Sequence, residues 1–353
     1  RSGYSKNYKK LGVLCKVKSK MPTFTALKRL NRNFIYSLFF IFYFWPNSYK
    51  VRNEILDYID DNKIEIIHSN LISFFILVYW IKKRRPKIKF TLHSRTLPYN
   101  NLFSKLQARI SFKLFDGFVF ITENEKAHFE KLINKKVKGK IIYNSVELKK
   151  INKKVKLTDN KKELKILALS NYSYQRGTDR IIEIAKELKN NNINNITFYI
   201  AGDTKFPRIM PGKLMYLGLI GSSIEDLAIK EKVNDIVRFI GYREDTEEII
   251  NSIDLLIKPT REANPWGRDV LESLALGKPV ISIGKYDRFV KNNFTGLLLS
   301  QYNVKKITDW LVNYKLRKYS HIDYEKNAVK IIKKYCDPKK NATAMEDFFI
   351  NCL

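Results

Sequence analysis

A carboxamide, an indole, a guanidinium and a carboxylate fall within one short run, Asn264 to Glu272, of the stretch Pro259 to Leu299. The residues before it, Asp254 to Pro259, read as a buried strand. Those after it, Arg268 to Leu276, read as a helix with apolar residues at Val270, Leu271, Leu274 and Ala275 that stops at Gly277, with Pro279 just beyond. A strand, a polar loop containing Gly267 and a helix N-terminus bring free backbone N–H groups and the positive end of the helix dipole to one place. That is an anion site. Glu272, one turn into the helix, can accept hydrogen bonds from sugar hydroxyls, and Asn264 can both donate and accept. The blander alternative makes Asn264 a helix cap and Glu262 a solvated loop charge.

A second anion loop runs from Asn171 to Gly177. Arg176 stands beside Gly177 just before a helix, where its fork suits a diphosphate. In the first half of the chain, His93 and His68 each end a strand. A histidine there faces the ligand-binding edge of an open sheet.

These residues need elements to hold them. From Lys63 the chain alternates: strands at Ile64 to His68, Ile88 to His93, Gly117 to Ile121 and Lys140 to Tyr143 are separated by helices at Leu71 to Arg84, Phe103 to Phe115 and Glu123 to Leu132. The polar stretch Lys149 to Lys162 interrupts the rhythm, as a segment between domains would. It restarts with strands at Leu164 to Ser170, Ile196 to Ala201 and Ile236 to Ile240, helices at Thr178 to Leu188, Ile224 to Lys232 and Thr246 to Ile250, and last helices at Val304 to Tyr314 and Tyr324 to Tyr335. Short apolar strands separated by helices mean parallel, doubly wound sheets. Residues 1 to 20 read as a basic helix followed by a strand, Gly12 to Val17, and the usual opening strand with its Gly-rich turn is expected upstream of Arg1.

The stretch from Pro259 resembles the donor-site signature of the retaining GT-B glycosyltransferases of family 4: a Glu, seven residues, a second Glu, then Ala or Ser, x, Ala, x, Gly, x, Pro, Val. Glu272 matches the second Glu, and Ser273, Ala275, Gly277, Pro279 and Val280 match the remainder of the signature. Asn264 stands where the first Glu falls, so on the resemblance it holds the transferred sugar, with Glu262 as the alternative. Arg176 and Gly177 stand for the family's Lys-Gly, while Ser170 and Asn171 replace its Gly-Arg, so one customary cation is absent. Gly202 and Gly241 look like strand-end glycines, Tyr242 falls in the loop that lies against the base, and Gly296 matches a tight turn. His93 occupies the position of a histidine that hydrogen-bonds the sugar or its acceptor.

The resemblance covers nearly the whole chain and is strongest from Leu164 to Leu299. It implies an α/β fold of two tandem Rossmann-like doubly wound domains facing a central cleft. These are an acceptor-side domain over 1–150, a linker over 151–162, a nucleotide-sugar domain over 163–320 and C-terminal helices over 321–353. It further implies retaining, front-side transfer from a UDP- or GDP-type sugar to a hydroxyl of a lipid-linked or polysaccharide acceptor, in cell-surface polysaccharide or lipopolysaccharide synthesis. His93, Asn264 and Glu272 are then the catalytic set, with no protein nucleophile. Asn171, Arg176, Gly177, Gly241, Tyr242, Glu262, Pro265, Trp266, Gly267 and Arg268 bind the donor. No cofactor and no metal are expected, since the Asp-x-Asp of the other large glycosyltransferase fold is absent and protein cations and helix ends must meet the leaving-group charge.

Composition bounds the alternatives. A chain of 353 residues, 44% hydrophobic, suggests two globular domains. Its three cysteines, Cys15, Cys336 and Cys352, form no paired spacing, which fits a reducing cytoplasm. The formal net charge is +31, and residues 1–150 carry 31 Lys and Arg against 10 Asp and Glu. An excess concentrated in one half implies an anionic partner. Phe34 to Trp45, rich in aromatics and flanked by Arg29, Arg32, Lys50 and Arg52, suits either a helix lying in a bilayer interface or a buried core helix. At twelve residues it is too short to span. The expected location is cytoplasmic, peripheral on the inner face of the membrane. A nucleic-acid-binding protein is favoured by the charge alone; it lacks a recognition module or basic residues interleaved with stacking aromatics, so no nucleic acid is expected. An inactive homologue is the other alternative, motivated by Asn264 and by Ser170 and Asn171; an epimerase of the same architecture lacks a supporting carboxylate and histidine set.

Overall fold

The computed structural model describes residues 21–25, 30–148, 151–158, 160, 162–208, 210–211, 214–262 and 264–353. The basic helix and the Gly12 to Val17 strand expected at the start lie outside the described residues. The chain divides into two compact units, 1–143 with 340–353, and 144–339.

The first unit opens with helix α1 (Leu30–Phe39), a π-helical turn (Phe40–Phe44), α2 (Trp45–Asn47) and α3 (Tyr49–Asp61). Then come β1 (Ile66–Ser69), a 3-10 turn (Ile72–Phe74), α4 (Phe75–Arg84), β2 (Lys89–Ser94), α5 (Leu102–Leu114), β3 (Gly117–Phe120), α6 (Glu123–Ile133) and β4 (Gly139–Ile141). The four strands pair in chain order, all parallel. Phe90, Leu92, Phe118, Phe120 and Phe129 fill the core between sheet and helices. Capping sets the helix bounds: the Thr122 hydroxyl accepts from the Asn124 N–H at the start of α6, and Asn134, at φ +57°, ends it in the left-handed region.

The second unit contains β5 (Leu164–Leu169), α7 (Arg180–Asn190), β6 (Ile196–Ala201), α8 (Met215–Leu219), α9 (Ile224–Lys230), β7 (Val237–Gly241), α10 (Thr246–Ser252), β8 (Leu255–Lys258), α11 (Arg268–Ala275), β9 (Val280–Ile283), β10 (Gly296–Leu299), α12 (Val304–Lys315) and α13 (Tyr324–Tyr335). Its parallel sheet runs β10-β9-β8-β5-β6-β7, the doubly wound order in which the winding reverses between β5 and β8. The two strands pair through Ile166 with Leu255 and Leu167 with Leu256, all fully buried.

The structure sharpens four of these readings. Gly296 follows directly on the turn whose Phe294 and Thr295 N–H groups donate to the Lys291 carbonyl; at φ +146° it begins β10 beside Val280, and a Cβ there would meet the Val280 carbonyl oxygen at 2.0 Å. The C-terminal helices expected over 321–353 are present and divide between the units, with α13 in the second. Helix α14 (Pro338–Ile350) belongs to the first, where Phe349 packs on His68 and the Asn341 amide donates to the Tyr143 carbonyl at 2.9 Å. The polar stretch after 150 is also no free linker. The Val155 N–H donates to Ser252 Oγ at 2.7 Å, and the Asn251 amide reaches the Ile151 carbonyl at 2.7 Å, strapping it to the second unit. Finally, the aromatic run Phe34 to Trp45 is not a buried core helix: Phe42 is 77% exposed.

Candidate functional site

The reversal between β5 and β8 leaves a crevice beyond the carboxyl ends of these strands, because the connections depart to opposite faces of the sheet. A cavity of about 430 Å³ lies there, lined by Leu169 and Ser170 from the end of β5 and by Lys258 and Pro259 from the end of β8. Arg176, Glu262, Asn264, Trp266, Gly267, Arg268 and Glu272 complete its wall, with Thr178, Thr260 and Asp269. A larger cavity, about 780 Å³, opens at the opposite ends of the strands, where Glu163, Asp254, Asp323 and Glu325 offset its basic residues. The smaller one holds seven of the residues the sequence singled out.

Two loops form the wall, tied to each other from beneath. Arg261 makes a two-pronged ion pair with Asp179, Nη1 to Oδ1 at 2.8 Å and Nη2 to Oδ2 at 2.6 Å, with its guanidinium over the Tyr174 ring. Arg180 donates to the carbonyls of Pro259 and Thr260 at 3.1 and 3.0 Å. Gly177 lies in the left-handed region at φ +70°, and a Cβ there would come within 2.2 Å of the Pro259 carbonyl oxygen. Only glycine lets these loops approach so closely.

Inside the cavity, Arg176 Nη1 donates to Ser170 Oγ at 2.7 Å, so the serine that replaces a customary glycine fastens the loop's cation. Arg268 Nε lies 2.7 Å from Glu272 Oε1, one turn along α11. Asn264 Oδ1 and Trp266 Nε1 are buried without a hydrogen-bond partner. A buried polar atom left so costs on the order of 1–3 kcal/mol, which a ligand would recover.

Sequence reasoning missed Lys258. Its ammonium donates to the Trp266 carbonyl at 2.9 Å and lies 3.2 Å from Asp269 Oδ1. The available signal was a lysine closing the otherwise apolar run Leu255 to Ile257.

Other expected residues lie outside this cavity. The Asn171 side chain accepts from the Asp203 N–H at 2.9 Å and braces its own loop. Pro265 is buried behind the wall, Gly241 accepts from the Gly202 N–H at 2.8 Å, and Tyr242 is 74% exposed; none of the three lines the cavity. His93 belongs to the first unit, at the end of β2, with its ring 5.4 Å from that of His68. His68 Nδ1 is 2.7 Å from Thr91 Oγ1, whereas His93 Nε2 is buried with no partner. Burial pushes the His93 pKa down to about 3, helped by the positive charges that His68 and Arg95 can carry; burial and Arg95 lower that of His68. His93 is therefore neutral at ordinary pH.

Comparison with known proteins decides the family. The model of the family described as Glycosyl transferases group 1 matches residues 149–333, over half of the chain, and that of Glycosyltransferase Family 4 matches residues 14–150. The chain belongs to the glycosyl transferases group 1 family. As in the GT-B members of this family, two parallel α/β units follow one another. Anabaena Alr3699/HepE, solved in complex with UDP, superposes with a TM-score of 0.68 at 14% identity, over 86% of this chain and 82% of that one. A glycosyltransferase from Rickettsia africae gives 0.66 at 16% identity over 99% and 87%, and the lipopolysaccharide outer core galactosyltransferase WaaB gives 0.64 at 11% over 88% and 81%. At these identities the likeness establishes the GT-B fold. A Klebsiella pneumoniae protein described as an "Uncharacterized 42.6 kDa protein in cps region" is 24% identical over 257 residues, 67% of this chain and 61% of the relative's length.

Proposed function

We propose that this glycosyl transferases group 1 member moves a sugar, with retention and without a metal, from a nucleoside diphosphate to a hydroxyl of a lipid-linked or polysaccharide acceptor in cell-surface polysaccharide synthesis. The carrying observation is the cavity at the switch between β5 and β8, where Arg176, Lys258 and Arg268 gather around the N-terminus of α11 beside the unpartnered Asn264 and Trp266 atoms. The cations and helix end suit a departing diphosphate. Glu272 takes the ribose hydroxyls and Asn264 the sugar. The sugar–phosphate bond breaks as the acceptor oxygen attacks the same face, and the acceptor proton leaves on a phosphate oxygen, so no protein nucleophile is needed. His93 serves as a neutral hydrogen-bonding group to sugar or acceptor. The UDP complexes of the Anabaena relative favour a UDP-type donor, and the Klebsiella relative's cps region favours a surface-polysaccharide role. The basic charge of the first unit favours a position at the inner face of the membrane.

Thermal-shift titration with UDP, GDP, ADP and CMP and their sugars, in chelator, tests the donor site. One nucleotide is expected to raise the melting temperature by several degrees, and Arg176→Ala or Glu272→Ala to abolish the shift. No shift with any nucleotide would overturn the proposal.

A further inference from the structure

The helical backbone from Leu30 to Asn47 touches its unit along one narrow line. Asn33, Phe40 and Ser48 are buried on it; Phe40 meets Phe24 edge-on at 5.3 Å, and the Tyr36 hydroxyl donates to the Thr23 carbonyl at 2.8 Å. Most of the residues around that line are exposed and apolar. Phe34, Ile35, Phe39, Ile41, Phe42 and Tyr43 are between 55 and 77% exposed. The π-helical turn widens the face: four successive residues, Ile41 to Phe44, are all exposed. A continuous apolar surface of this kind marks an interaction site.

The next helix supplies the rim. Trp45 at the end of the run meets Trp80 of α4 edge-on at 6.4 Å, and a groove there is lined by Trp45, Ile76, Tyr79, Trp80, Lys83 and Arg84. Arg84 lies over the Trp80 ring at 4.1 Å, and Arg52 over Trp45 at 4.0 Å. Indoles and a phenol beside cations, next to a bare apolar helix, match the layers of a bilayer interface. No described helix is long and apolar enough to cross a membrane, so a bilayer meeting this face would take the helix along its surface and not across it. Charge selects the occupant. Residues 1–150 carry 31 basic against 10 acidic residues, so a second copy would meet like charge, whereas an anionic lipid surface gains about 1 kcal/mol for each basic residue near it.

We infer that Phe34 to Phe44 inserts, flat, into the headgroup region of an anionic bilayer, with the Trp45, Trp80, Lys83 and Arg84 groove holding a lipid phosphate at its edge. This deepens the membrane location proposed above and gives it a physical means. Its readout is lipid binding rather than sugar transfer, so either can fail alone.

Flotation of the full chain with vesicles of phosphatidylcholine, or of phosphatidylcholine with about 30% phosphatidylglycerol, tests it. Binding is expected only with the anionic vesicles, with a blue shift of tryptophan fluorescence. Phe39→Ser with Phe42→Ser should weaken partitioning at least about tenfold, as loss of two buried phenyl groups requires. Lys83→Gln with Arg84→Gln should weaken it severalfold and reduce its dependence on salt. All four positions are exposed, so the fold survives. Equal binding of wild type and the phenylalanine variant, or a dimer that dissociates on the same substitutions while vesicles float free of protein, would overturn the inference.

Discussion

The Lys258 ammonium bridges Asp269 Oδ1 at 3.2 Å and the Trp266 carbonyl at 2.9 Å, passing so close to Gly267 that a Cβ there would lie 2.5 Å from Nζ. Strand β8 thereby holds the loop before α11 against the first turn of that helix. Gly267 is at φ 172°, extended backbone that any residue adopts, so its role is to leave room. Lys258→Met should cost about 1–3 kcal/mol in urea unfolding, given that both side chains are about one-fifth exposed. It should also weaken nucleotide binding by calorimetry. Unchanged nucleotide affinity would remove Lys258 from the donor site.

Arg268 tests binding apart from stability. Its side chain is 82% exposed although it pairs with Glu272, so Arg268→Ala should leave the melting temperature within about a degree, a surface pair being worth little. Nucleotide-sugar affinity should nonetheless fall by roughly tenfold, the worth of one charge-assisted hydrogen bond to phosphate. Equal affinity in the two proteins would show that Arg268 serves only as a partner for Glu272.

Asn264 makes a sharper demand. Since its Oδ1 has no partner in the unliganded protein, Asn264→Ala should not destabilise the fold and should lower kcat/KM for sugar transfer by about 10- to 100-fold. Stopped assays with the matching nucleotide sugar would show it. Full activity would pass the sugar contact to Glu262.

Gly177 carries the join between the two site loops. Gly177→Ala must accommodate both φ +70° and a contact of 2.2 Å with backbone, so a loss of about 2 kcal/mol or more is expected by denaturant titration. Arg261→Ala, which leaves Asp179 buried at 4% side-chain exposure, should cost about 3 kcal/mol for the same join.

The His93 pKa, about 3 in the fold, lies below the unfolded value of about 6.5, so the unfolded chain takes up the proton first as pH falls. The contribution of neutral His93 is whole above pH 6.5 and declines from there toward about pH 3, the loss reaching about 2 kcal/mol by pH 5. Melting temperatures of wild type and His93→Gln, followed from pH 7.5 to 4.5, should diverge in slope, the variant falling less steeply. Parallel curves would mean that His93 protonates freely.

Much of this protein is written locally. Alternating apolar strands and amphipathic helices are set by side-chain period, so β5, β6 and α11 fall within two residues of the elements read from sequence. The turn from Asn264 to Glu272 announces an anion site because a strand, a glycine and a helix start are consecutive there. Long-range contacts decided the rest. That Arg176 and Asn264 line one cavity depends on β5 pairing with β8 across about 90 intervening residues, a register no short window encodes. Lys258 gained its role from Asp269 and the Trp266 carbonyl, which lie across a loop from it. Helix α14 returned to the first unit because Phe349 found His68, and its own periodicity said nothing of where it would dock. For Phe34 to Trp45, composition stated that the face is apolar; only the packing of Phe40 against Phe24 showed which side remains for another surface. Periodicity fixes what a segment can bury, and tertiary packing chooses the partner.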